Sequence, residues 1–160
     1  MSAAEATLKQ LLDRYEPAIA VIARAARASL RKQLPPAFEM VYDNWNALVI
    51  GYAPTDKTAD AIVSIALYPR WVNLFFLFGA GLPDPDKLLK GTGKRVRRLV
   101  LTDRTAIDSK PVRTLVAAAV ARAPTPFGQA RRHMLSIRAL SHEVRPRRPT
   151  STKSSARGRS

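Results

Sequence analysis

The chain has two histidines, no cysteine and two short glycine-rich stretches, and these are its first candidates for chemistry. Gly91-Thr92-Gly93-Lys94 invites a phosphate-loop reading. Such a loop needs a glycine five residues before the second Gly and Ser or Thr after the Lys. Leu88 and Arg95 occupy those positions. Gly79 and Gly81 fail as a dinucleotide fingerprint, because Asp84 replaces the third glycine and Pro83 sits where a helix should begin. Both pairs read as turn glycines. His133 and His142 are nine residues apart, not the four that share a helix face. Without cysteine there is no thiolate metal site and no disulfide, so neither a metal nor a cofactor is expected. Asp84 and Asp86 suit the start of a helical turn better than a cation. No serine lies in a nucleophile elbow and no nucleophile has an evident base, so the reading is non-enzymatic.

Cations are the richest chemical feature. Arg24, Arg27 and Arg31 fall within roughly 60° of arc on one helix, with no acid between Glu16 and Glu39. Lys94, Arg95, Arg97 and Arg98 form a second cluster. On a strand, Arg95 and Arg97 would share one face and Lys94 and Arg98 the other. Each cluster reads either as a solvated face or as an anion or nucleic-acid contact. No aromatics interleave them, so base stacking on single strands is not supported. The net charge is +15, and residues 131–160 carry nine Arg or Lys against Glu143 alone. Such a segment attracts nucleic acid without a fold, or serves as a solubility device.

These residues must be positioned by a core, and 46% hydrophobic against 24% charged residues is enough to build one. Leu8, Leu11, Leu12, Tyr15, Ile19, Ile22, Ala26 and Leu30 recur at helical steps. Pro17 splits them into a helix to about Arg14 and a second from Pro17 to about Leu34, stopped by Pro35 and Pro36. Residues 38–43, 47–53, 61–68 and 71–78 read as strands with short links, which implies an antiparallel meander. Residues 79–94 read as loop with one helical turn at 86–89, and 95–102 as a fifth strand. Asp108 or Ser109 caps a helix to about Ala123, with Pro111 in its first turn. A short amphipathic helix is expected within 129–142, and residues 143–160 read as a disordered basic tail. The expected fold is α+β: about five antiparallel strands with helices on one face.

The strand at 71–78 is apolar on both faces, unlike a half-buried strand. Tail residues, a second protomer, a partner or a curled sheet would cover the second face. The longest apolar run, 74–82, is far short of a membrane span. Residues 1–10 carry Glu5 and no signal-length apolar core, so a cytoplasmic location without membrane insertion is expected.

Residues 38–52, 64–79, 81–101 and 111–120, above all the run Leu88-Leu89-Lys90-Gly91-Thr92-Gly93-Lys94, resemble the YdhG-like family of bacterial proteins of unknown function. The resemblance covers about half the chain and places one such domain over residues 1–128. It implies a frataxin-like fold. Some members are proposed intracellular iron chaperones, and frataxin-type iron sites use acidic residues on the first helix and following strand. Here only Glu5, Asp13 and Glu16 stand in the helical region, so the iron site is not carried over. Frataxins also meet partners through the open sheet face, which points to Trp45, Trp71 and Phe75. The first functional expectation is a binding domain whose sheet face meets a protein. Its alternatives are a nucleic-acid-associated protein using residues 143–160 and the basic clusters, and a frataxin-type iron chaperone.

Overall fold

The computed structural model describes residues 1–150. Helix α1 spans Ala3–Asp13, and the Ser2 hydroxyl accepts the Glu5 N–H at its start. Helix α2 spans Pro17–Gln33; its proline sits in the first turn, where the missing N–H costs nothing. Strands β1 (Phe38–Asp43), β2 (Leu48–Ala53), β3 (Val63–Leu67), β4 (Val72–Phe76) and β5 (Arg97–Leu101) follow. Helix α3 (Lys110–Ala121) and strand β6 (Met134–Leu140) complete the α+β fold.

The sheet has six strands in the order β5-β4-β3-β2-β1-β6. The antiparallel meander holds for β1 to β5. Two expectations need correction. The segment expected as a short helix is β6, and β6 runs parallel to β1, so the sheet is mixed. The expected turn of helix at 86–89 is a tight turn, broken by Lys87 at φ 54°.

Pleating assigns the two faces. Ile50, Tyr52, Ile65, Leu67, Leu74 and Phe76 are fully buried on one, and α1, α2 and α3 contribute Leu8, Leu30, Leu115 and Val116 to the same core. Each such side chain contributes about 1.5–3 kcal/mol of burial. Helix α2 lies over β3 and β4, and α1 over β6. The other face carries Met40, Tyr42, Val49, Gly51, Ser64, Ala66, Asn73, Phe75, Arg98 and Val100. The loop between β2 and β3 crosses the β1–β2 side of that face: Thr58 hydrogen-bonds the Tyr42 hydroxyl, and Arg138 of β6 donates to the Asp56 carbonyl at 2.7 Å.

The start of the expected tail is ordered. The Arg145 N–H donates to the Trp45 carbonyl at 2.9 Å. Arg147 is 5% exposed and donates to Asp43 Oδ1 at 2.8 Å and to the Asn44 and Trp45 carbonyls. Its guanidinium lies 5.8 Å from the Tyr15 ring centroid. Arg148 donates to the carbonyls of Asp13, Arg14 and Tyr15, groups left unpaired where α1 ends. Two cations thereby lock the end of the sheet to the end of α1. The rest of the expected tail, residues 151–160, lies outside the described residues. No helix among the described residues is long and apolar enough to cross a membrane.

Candidate functional site

The first basic cluster is neutralised from within. Glu39 of β1 is fully buried beneath α2. It accepts from Arg27 Nε at 2.9 Å, Arg31 Nη2 at 2.6 Å and the Tyr52 hydroxyl at 2.6 Å. Glu5 of α1 accepts both terminal nitrogens of Arg27, at 3.0 and 2.8 Å. Arg24 pairs with Asp13 at 2.6 Å, and Lys9 meets the same carboxylate at 2.9 Å. Burial pushes the Glu39 carboxyl up, but the hydrogen bonds from Arg27, Arg31 and Tyr52 outweigh it and hold it below its ordinary range. The Arg27 hydrogen bond likewise lowers Glu5, and those from Lys9 and Arg24 lower Asp13. Burial, then Glu39, raises the Tyr52 hydroxyl well above its usual value. The groove between α1 and α2, about 510 Å³, is lined by these same pairs.

The second cluster is differently placed. Strand β5 begins at Arg97, so Lys94 and Arg95 lie in the preceding loop rather than on a strand. Arg97 turns back onto that loop, donating to the Gly93 and Val96 carbonyls at 2.6 and 2.8 Å. Gly79 admits this packing, since a Cβ there would lie 2.8 Å from the Arg97 Cβ. Gly91, at φ 126°, makes the turn only glycine adopts easily. One glycine of each pair thus has a local structural reason, close packing at Gly79 and a positive φ at Gly91, while a Cβ at Gly81 or Gly93 would meet open space. Arg98 lies on the open face, paired in register with Phe75. The Arg95 guanidinium sits 5.1 Å from the Phe78 ring centroid. None of the four makes an ion pair among the described residues.

Of the three aromatics, Phe75 lies on the open face of β4 with Asn73, and Trp71 immediately precedes the strand on the same alternation. Trp71 is 46% exposed and stacks on Tyr68, ring centroids 5.6 Å apart. Phe75 is half-buried. Val100, in register with Asn73, is 50% exposed. The Asn73 Oδ1 is buried in this apolar strip with no hydrogen-bond partner among the described residues. Trp45 is 54% exposed, but it stands on the β1–β2 turn, away from that strip. The strand at 71–78 is therefore apolar on both faces for two reasons: one face joins the core, and the other is only half covered.

A cleft of about 320 Å³ opens on the same face, between the β2–β3 loop and the residues after β4. Gly51, Val49 and Ser64 form its floor, Thr58 and Phe78 its sides, and Arg95 its rim.

His133, left aside by its spacing, has a structural role. Its Nδ1 accepts the Ala37 N–H at 3.2 Å and its Nε2 meets the Arg31 carbonyl at 2.7 Å, tying the entry of β6 to the end of α2. Asp84 caps its turn, accepting the N–H groups of Leu88 and Leu89 at 2.9 Å each. Asp108 binds the Ser29 hydroxyl, and Ser109 stands at the α3 N-cap without a side-chain cap bond. Glu39 and Arg147 organise the most buried polar contacts, and spacing gave no sign of either. Among the described residues no group of three or more His, Cys, Asp or Glu is placed to hold a metal ion. No family model matches the chain, nor does any curated protein or solved structure.

Proposed function

We propose that the protein is a non-enzymatic binding domain that presents the β3–β5 half of its open sheet face to an acidic partner protein. The observation that carries this reading is the strip of Trp71, Phe75 and Val100 with Arg98 beside it, a cation paired with no acid among the described residues. Aromatic and arginine side chains around an apolar centre are the composition of protein interfaces. From Lys87 to Arg98 the chain carries six cations and no acid, which favours an acidic partner. The same run supports a second reading, in which phosphates of a nucleic acid take the place of the acidic protein. A YdhG-like, frataxin-like assignment accords with helices on one side of the sheet and a partly bare second side. The iron-chaperone alternative is less favoured, because guanidinium groups already occupy Glu5 and Asp13.

The test is capture from nuclease-treated lysate by the full chain and by a Trp71→Ser/Val100→Ser variant. A partner lost with that variant and retained by Trp45→Ser supports the sheet face. A partner that disappears on nuclease treatment, or that binds both variants equally, counts against it.

A further inference from the structure

The centre of β2 holds a glycine that folding does not require. Gly51 lies on the open face between Met40 and Ser64 in register. It lacks the positive φ that demands glycine, found only at Gly91 and Gly128 among the described glycines. A methyl group there would meet the Met40 carbonyl oxygen at 3.8 Å and the Ala61 Cβ at 4.0 Å, both ordinary contacts. A mid-strand glycine weakens pairing and commonly marks the close approach of another group. What alanine would fill is the floor of the 320 Å³ cleft.

The cleft's polar groups point to one kind of occupant. Ser64 is only 7% exposed, and its hydroxyl makes no hydrogen bond to the described residues while lining the cleft. That oxygen is not among the buried unpartnered atoms, so it stays open to the cleft. The Arg95 side chain at the rim makes neither an ion pair nor a hydrogen bond within the described residues; it is held only by the Phe78 ring. No carboxylate among the described residues lines the cleft. Val49, Ala59, Leu77 and Phe78 supply apolar surface. A free guanidinium is a strong carboxylate receptor, and its planar fork suits two-point contact. The volume is at the lower end of the roughly 300–1,000 Å³ of small-molecule sites.

We propose that this cleft binds a small aromatic carboxylate, with its ring on Gly51 against Phe78 and its carboxylate between Arg95 and Ser64. The site lies beside the Trp71–Val100 strip and does not depend on it.

The experiment uses the full isotope-labelled chain, with phenylacetate as probe and neutral phenylacetamide as control. Phenylacetate should produce saturable amide shifts at Gly51, Ala61 and Ser64, with a Kd of about 1 mM. Phenylacetamide should bind about tenfold more weakly, and Arg95→Gln should weaken phenylacetate by the same factor without changing phenylacetamide. Gly51→Val should abolish both, and Gly51→Ala, which the backbone accepts without strain, should weaken both. Three results overturn the proposal: no saturable shift with phenylacetate at about 20 times the expected Kd, equal affinity for acid and amide, or shifts unaffected by both Gly51 variants.

Discussion

Replacing Glu39 with glutamine tests the charge at the centre of the helix–sheet interface. The carboxylate receives five hydrogen bonds, two each from Arg27 and Arg31 and one from Tyr52. Removing one partner of a buried ion pair typically costs about 3–5 kcal/mol, because the other charge stays buried. Here Glu5 still holds Arg27 through two bonds of 3.0 and 2.8 Å, and glutamine keeps one acceptor oxygen. The expected loss is therefore near the lower end, about 3 kcal/mol. With a urea m-value of about 1.5–2 kcal/mol per molar, the midpoint should fall by about 1.5–2 M. The pH dependence has a definite sign. The folded-state Glu39 carboxyl is held below its unfolded value, so its contribution is present above that unfolded value and fades as pH falls through the folded one. The gap between wild type and Glu39→Gln should narrow below about pH 4.5. Tyr52→Phe leaves the ion pairs intact but removes a hydrogen bond to a charged group, and should cost about 1.5–3 kcal/mol. Urea titrations at neutral and acid pH measure all of this. A Glu39→Gln stability within about 0.5 kcal/mol of wild type, or a gap that widens in acid, refutes the reasoning.

Arg147→Ala should lower stability by about 3 kcal/mol in thermal unfolding, since Arg147 is buried against Asp43 and, among the described residues, only Arg14, at 3.3 Å, would remain paired with it. His133→Ala should cost about 1–3 kcal/mol by leaving the Ala37 N–H unpaired, and glutamine should recover part of the loss. Ferrous iron titrated calorimetrically should show no saturable site tighter than about 10 µM, roughly −7 kcal/mol, because arginines already occupy Glu5 and Asp13. If duplex DNA is bound, replacing Lys94, Arg95 and Arg98 with Gln should flatten the log–log salt slope by about 0.9 for each phosphate no longer neutralised. Replacing Arg24 with Gln should leave that slope unchanged, since its charge is already paired.

The elements legible in the sequence are those with local signals. Pro17 and Pro35-Pro36 mark the ends of α2, and short apolar, β-branched or aromatic runs bounded by turn residues mark β1 to β5, with short links joining β1 to β4. Strand β6 was not legible: Met134, Leu135, Ile137 and Leu140 fit a helical stripe as well as an edge strand, and the pairing that decides lies with β1, far away in sequence. The two-residue strand period puts Glu39, Val41 and Asp43 on one face, but nothing local says that this face is buried against arginines. For the same reason Arg27 and Arg31 looked like a free cationic face: their partners come from α1 and β1, not from their own helix. Arg147 sits in a Pro/Arg-rich stretch with no apolar periodicity, and Asp43, the carbonyls of the β1–β2 turn and the Tyr15 ring give it a fixed place.

The parallel pairing of β6 with β1 sets a timetable for synthesis. Phe38 is matched with Met134, so the ribosome makes β1 nearly a hundred residues before its outer neighbour exists. At about 5–20 residues per second the delay is roughly 5–20 s. A five-stranded meander can assemble in that interval, with the far edge of β1 unpaired and Glu39 already facing α2. Unpaired edges recruit other chains. During that period the sheet has two bare edges, β5 and β1, and only the one on the first strand is later covered.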